Sequence, residues 1–297
     1  MELSTTVNFF ILPHDQGMDV YYEELRNYRR LGFSVLDCIF CNADSPGSPL
    51  LREDWRQWGE AIAGYSKKLG VRYAQCHMPY YNFTPSGQGI DRKKEKLARR
   101  SIEAAAVLGA KWIVGHPATD FNACDMPAVS KEENLRYFAP YVALGEKLGI
   151  GIAIENMADF PRQGSPRSYC ATVSELCDLV DALGSPCAGI CWDFGHANLM
   201  YQDQAPCLKL IGPRLKAVHV HDNFGKEDSH LPVFFGNIHW EPLMRMLKEI
   251  RYEGVFSFET KRIPIRLPQY MRNAQWLYVK TAGDYLLSQV DSPEEAK

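Results

Sequence analysis

Apolar and polar residues follow two different periods along this chain, and the period switches at regular intervals. Tyr21–Leu31, Trp55–Leu69, Asp91–Leu108, Lys131–Leu148 and Trp240–Ile250 place apolar residues three and four apart, the spacing of helices that bury one face. Between them run short segments that are apolar almost throughout. These predict strands over Thr6–Leu12, Val35–Cys41, Arg72–Met78, Lys111–His116 and Gly151–Asn156, then Ala188–Asp193, Leu215–His221 and Val255–Thr260. Continuous apolar character suits strands covered on both faces, as parallel strands are.

A recurring phrase marks the junctions. Arg30-Leu-Gly-Phe, Lys68-Leu-Gly-Val, Leu108-Gly-Ala-Lys, Lys147-Leu-Gly-Ile and Tyr252-Glu-Gly-Val each close a helical stretch and precede a strand. Glycine there is expected just past the helix end, where a positive φ carries no Cβ penalty. Gly32, Gly70, Gly109 and Gly149 recur about every 40 residues, the size of one βα unit. Eight such strands predict an α/β chain folded as a closed (β/α)₈ TIM barrel, with residues 1–297 forming a single domain. The Gly-rich turn that binds dinucleotides in open doubly wound sheets is missing after the first strand, so no organic cofactor is expected.

Composition narrows the function class. The chain is 46% hydrophobic and 23% charged with a formal charge of −3, and its longest basic run is Arg92-Lys93-Lys94. That balance argues against a nucleic-acid partner. The N-terminus lacks the pattern of a signal peptide, and no apolar run is long enough for a membrane span. Nine cysteines, most in apolar stretches, suit a reducing cytoplasm. Cys38 and Cys41 form a C-x-x-C, but strand alternation points them to opposite faces, so a structural role is expected.

Chemistry concentrates where the strands end. His77, His116, Glu155, Asp193, His219 with His221, and Glu259 close six consecutive predicted strands. In a barrel those ends ring one mouth, the face on which barrel active sites form. Glu155, Asp193 and Glu259 follow strongly apolar runs, where an unpaired carboxylate costs several kcal/mol. Lys261 and Arg262 are the only basic residues on these strand ends, so a bound cation is the simplest compensation. Carboxylates with imidazoles suit Mn²⁺, Co²⁺, Zn²⁺, Mg²⁺ or Fe²⁺, and the further histidines leave room for a second site, which favours zinc.

Four motifs in order, Ile154-Glu-Asn-Met, Asp193-Phe-Gly-His-Ala-Asn, Val218-His-Val-His-Asp-Asn and Asp228-Ser-His-Leu-Pro, resemble the xylose isomerase-like barrel superfamily. The resemblance is to its sugar (phosphate) isomerase/epimerase members and to the related metal-dependent apurinic endonucleases. It implies Glu155, Asp193, His219 and Glu259 as shared metal ligands. It further implies His77, His116, His196, Asp228 and His230 as the positions that complete a trinuclear zinc site in the endonucleases, or that bind substrate. Two departures stand out. Phe234 occupies the place of a usual glycine, and Pro161 that of a second glutamate found in ketose epimerases.

The expected activity is isomerisation or epimerisation of a small carbohydrate, a sugar, sugar phosphate or keto-polyol, with Glu155 and Glu259 as base and acid. His221, Trp112, Phe234 and Lys226 are expected to meet the substrate, with Trp192 and Phe235 as further apolar faces. A keto-sugar lyase or dehydratase on the same site, an apurinic-site endonuclease and a non-catalytic metal-bearing subunit remain as alternatives. A homo-oligomer is compatible with all of them.

Overall fold

The computed structural model describes residues 1–158, 167–260 and 267–291. Its strands are β1 (Glu2–Val7), β2 (Val35–Ile39), β3 (Arg72–His77), β4 (Trp112–Gly115), β5 (Gly151–Glu155), β6 (Ala188–Asp193), β7 (Leu215–Val220) and β8 (Val255–Phe258). Each pairs in parallel with the next and β8 pairs with β1, closing the barrel. Around it lie α1 (Asp19–Arg30), α2 (Trp55–Lys68), α3 (Arg92–Leu108), α4 (Met126–Leu148) and α5 (Val173–Leu183). These are followed by α6 (Phe194–Asn198), α7 (Ala205–Ile211), α8 (Trp240–Glu249) and α9 (Gln269–Asp291). Among the described residues no helix is long and apolar enough to cross a membrane.

Local sequence explains most helix ends. Asp91, Asp125 and Thr172 accept the backbone N–H of Lys94, Ala128 and Glu175 and so begin α3, α4 and α5. Gly109, Gly149 and Gly184 end the same helices at positive φ. The predicted glycine rule fails at Gly254. Beyond α8 it is Arg251 that takes the left-handed conformation, at φ 55°. Gly254 serves instead to let the Tyr252 ring pass, since a Cβ there would lie 2.2 Å from the Tyr252 hydroxyl.

Three other expectations are corrected. The first strand is Glu2–Val7 rather than Thr6–Leu12. The Asn8 side chain accepts the Phe10 N–H at 3.0 Å and turns Phe9–Ile11 into a short 3₁₀ turn. Phe9 and Phe10 then pack against Trp58, so their apolarity serves the layer outside the barrel. Helix α4 opens at Met126 rather than Lys131, because Asp125 caps it and Pro127 suits its first turn. Third, α5, α6, α7 and α9 were not predicted. α6 and α7 are too short to show a period.

Candidate metal centre at the barrel mouth

Strand ends carry the polar residues to one place. Glu155 and Asp193 close β5 and β6, His219 is the penultimate residue of β7, and Glu259 follows β8. His219 Nδ1 lies 2.8 Å from Glu155 Oε1, 3.4 Å from Glu259 Oε2 and 4.0 Å from Asp193 Oδ2. These four residues each offer an atom within 4.8 Å of the others. These are the four residues that the family resemblance implied as shared ligands.

Two further groups flank it. On one side Glu155 Oε2 faces His116 Nε2 at 2.7 Å and His77 Nε2 at 3.2 Å, with the two imidazole nitrogens 3.0 Å apart. On the other, Asp228 Oδ2 lies 2.9 Å from His230 Nε2 and 3.9 Å from His196 Nε2. His221 Nε2 approaches Asp193 Oδ2 at 3.0 Å, and its ring stacks on His230 at 3.9 Å between centroids. His221 therefore joins this flank, making a close group with His230 and Glu259. The sequence placed His221 at the close of the seventh predicted strand and pointed to a substrate contact for it; β7 ends one residue earlier, at Val220.

Neighbouring groups decide which way the imidazoles face. His77 Nδ1 lies 2.8 Å from the Met78 carbonyl, His196 Nδ1 2.9 Å from that of Asn156, and His230 Nδ1 2.8 Å from that of Glu259. A carbonyl only accepts, so each ring donates through Nδ1, and a neutral ring then aims its Nε2 lone pair into the site. Lone pairs facing carboxylate oxygens repel unless positive charge lies between them. Backbone-anchored imidazoles converging with carboxylates are the donor set of a divalent cation, and these residues fit one.

Protonation shows the same demand for positive charge. Burial opposes a charged His196, yet the Asp193, Glu155 and Asp228 carboxylates raise it to about 9. Burial likewise disfavours charge on His219, but the Glu155 and Glu259 carboxylates hold it well above the usual range. For Glu155 burial acts upward, and His219 and His116 overcome it to keep the carboxyl well below its ordinary value. His116 itself is lowered, chiefly by burial. Glu155 is therefore an ionised carboxylate in a dry setting.

Several residues outside the expected set build this mouth. Asn156 clamps β5 to β6, with its Nδ2 donating to Asp193 O and its Oδ1 accepting Asp193 N–H. Asp193 divides its labour, since Oδ1 caps α6 by accepting the His196 N–H while Oδ2 faces the site. Gly195 makes room for His221, as a Cβ there would lie 1.8 Å from the imidazole. Asp222, fully buried, accepts from the N–H groups of Phe234 and Ile238 and from Trp240 Nε1, and so shapes the loop that bears Asp228 and His230. Tyr80, half exposed, sets its ring 4.8 Å from that of His116 at the rim. Cys41 Sγ lies 3.5 Å from His77 Nδ1, whereas Cys38 is fully buried, so the C-x-x-C splits as alternation required.

The aromatic expectations fare differently. Trp112 opens β4 and so sits at the N-terminal end of the barrel, where it lines a groove with Glu2, Arg72 and Lys216. It cannot meet a substrate at the mouth, and its assignment there is withdrawn. Trp192 is wholly buried, its Nε1 donating to Gln204 Oε1. Phe234 takes φ 71°, the left-handed conformation that glycine adopts more easily, and its ring packs edge-on against Tyr285 of α9. Phe235 meets Tyr278 in the same way. Lys226 is exposed on the loop after β7. Pro161, Lys261 and Arg262 lie outside the described residues.

Residues 25–279 match the family model of the xylose isomerase-like TIM barrel. The chain belongs to that family. Among curated proteins it is 31% identical over 208 residues to the uncharacterized protein MJ1311 of Methanocaldococcus jannaschii, covering 67% of this chain and 69% of that one. It is 29% identical over 168 residues to the uncharacterized protein y4fM of Sinorhizobium fredii, covering 56% and 52%. Among solved structures, a D-tagatose 3-epimerase-like protein superposes with a TM-score of 0.73 at 20% identity, covering 98% of this chain and all of the other. The 3-keto-D-glucoside 4-epimerase YcjR of E. coli gives 0.70 at 16%, covering 95% and 99%. At these identities the structures share the barrel with this member of the family.

Proposed function

We propose that this xylose isomerase-like barrel is a divalent-metal-dependent isomerase or epimerase acting on a small carbohydrate by proton transfer beside a carbonyl. The observation that carries the reading is the approach of Glu155 and Glu259 to one imidazole nitrogen, His219 Nδ1, at 2.8 and 3.4 Å. Glu155, Asp193, His219 and Glu259 would hold the cation. When bound, it supplies positive charge that polarises a carbonyl oxygen and an adjacent hydroxyl. Glu155, kept ionised by its histidine neighbours, removes the α-proton. Glu259 returns a proton to the resulting substrate enediolate; return to the opposite face of the same carbon gives an epimer, and return to the neighbouring carbon gives an isomer. His77, His116 and His196 orient substrate oxygens. Closed packing around Glu155, which is 1% exposed, excludes water. The epimerases among the structurally similar proteins support the substrate class.

The test is solvent-deuterium incorporation at the carbon beside the carbonyl, using Mn²⁺- or Co²⁺-loaded protein and a panel of ketopentoses, ketohexoses and their phosphates. Exchange is expected in at least one substrate, and Glu155→Gln is expected to slow it by about 10²–10⁴-fold without unfolding the chain. No exchange with any member of the panel overturns the reading.

A second reading draws support from the two flanking groups. Together with the central four they offer ligands for up to three cations, a donor set suited to phosphodiester hydrolysis. The −3 charge and the lack of any basic run longer than Arg92-Lys93-Lys94 disfavour a nucleic-acid substrate. Incision of an abasic-site oligonucleotide by zinc-loaded protein would reverse that preference.

A further inference from the structure

Beneath the mouth, β2 contributes a carboxylate that no site motif contains. Asp37 is fully buried. Its Oδ2 accepts from Gln75 Nε2 at 2.7 Å and from Ser257 Oγ at 3.2 Å, and His219 Nε2 lies 3.4 Å from the same oxygen. The Gln75 amide is itself oriented, because Nε2 also donates to Val218 O at 3.2 Å across the barrel. Both amide hydrogens are thus committed, and the face turned to Asp37 is fixed.

This arrangement is costly in isolation. A buried carboxylate gives up its hydration, and two neutral donors to one oxygen recover only part of what is lost. Asp37 Oδ1 makes no hydrogen bond in the structure. The charge becomes useful once His219 is considered. The other three anchored imidazoles of the mouth donate to backbone carbonyls, whereas His219 turns Nε2 toward a carboxylate and Nδ1 toward three others. A proton on Nε2 faces Asp37 and leaves the Nδ1 lone pair for the centre. The opposite tautomer would set an Nε2 lone pair against the Asp37 oxygen. At 3.4 Å the contact exceeds the usual N–H···O span of about 2.7–3.2 Å, and positive charge at Nδ1 tightens it by making Nε2–H more acidic.

We infer that Asp37 is a positioning residue that holds His219 in the Nε2–H tautomer and strengthens its Nδ1 as a cation ligand. The inference rests on the cation site proposed above. It adds a carboxylate–imidazole–cation relay running from β2 through the barrel interior to the mouth. Asp37 touches neither substrate nor cation, and its effect reaches the reaction through His219 alone.

Two measurements on the full chain test it. Chelator-competition titration with Zn²⁺ and Mn²⁺ compares wild type with Asp37→Asn, which keeps the shape and the acceptor while removing the charge. The variant is expected to bind the tightest cation about 10–100-fold more weakly. Ring-¹⁵N spectra of Zn²⁺-loaded wild type, with His219 identified by its loss in His219→Gln, are expected to show its proton on Nε2. A His219 proton on Nδ1, or unchanged affinity in Asp37→Asn, overturns the inference while leaving the cation site standing. Failure of the wild type to bind either cation overturns the site reading and this inference with it. Should Asp37→Asn not fold, the wild-type spectrum decides.

Discussion

The interior of this barrel has two halves of different chemistry. Behind β4–β7 it is filled by Val114, Ala153, Cys191 and Ala217, packed against one another with Trp112 beneath them. Behind β8 and β1–β3 the buried residues are Ser257, Ser4, Thr6, Asp37 and Gln75. Leu3 turns outward to α9, where a Cβ on Gly283 would lie 2.3 Å from its Cδ1, so its neighbour Ser4 faces inward. None of these residues of the first half is charged. The second holds an oriented network that ends on His219. The contrast teaches that a buried charge is tolerated where donors were placed for it, and that the tolerant half lies against His219, a proposed cation ligand.

The largest test of that contrast exchanges the two environments. Ala153→Asp sets a carboxylate in the apolar half, where the packed neighbours offer only the weak Cys191 thiol as a donor, and is expected to destabilise the cation-free protein by roughly 3–5 kcal/mol in urea unfolding. A loss below about 1 kcal/mol would mean that the apolar half can accommodate charge as well as its counterpart. Next comes Asp222→Ala. It leaves the Phe234 and Ile238 N–H groups and Trp240 Nε1 without their acceptor, at a cost of roughly 3 kcal/mol. Faster hydrogen exchange after β7, with β4–β6 unchanged, is the accompanying signature.

Cation removal ranks third. If charge in the polar half and at the mouth is balanced by a bound ion, stripping it with a chelator lowers stability by about 2.7 kcal/mol relative to a concentration of 100 Kd. A melting temperature indifferent to Zn²⁺, Mn²⁺ and chelator alike contradicts that balance. Smallest is Ser257→Ala, which removes one neutral donor to Asp37 and is expected to cost about 0.5–1.5 kcal/mol. An effect as large as that of Asp222→Ala would show the network to be more cooperative than its individual bonds.

Much of the mouth was legible because each strand ends in a distinctive way. Glu155, Asp193 and Glu259 stand out as acidic residues terminating apolar runs, and barrel geometry then requires their ends to meet. Asp37 was not legible by that rule. It lies inside Val35–Cys41, where one acidic residue in an apolar run carries no sign of which face it takes or what it meets. Gln75 was hidden likewise, because its partners Asp37 and Val218 are distant along the chain. The error at β1 had a related origin. Val7–Leu12 is apolar enough for a strand, and a single Asn8 hydrogen bond together with packing on Trp58 redirected it. Trp112 was misassigned because aromatic character reveals burial but not which end of a strand a residue occupies.

The sequence by itself determined the βα repeat, the closure expected of eight strands and the polar residues at the ends of six of them, because periodicity, helix caps and strand-end chemistry are encoded within a few neighbouring positions. Only the tertiary structure decided how those ends group into a central set with two flanks, which nitrogen each imidazole turns inward, and that Asp37 stands behind His219. These are contacts between residues tens to hundreds of positions apart, and their geometry is set by the register and closure of the barrel, which no local window contains.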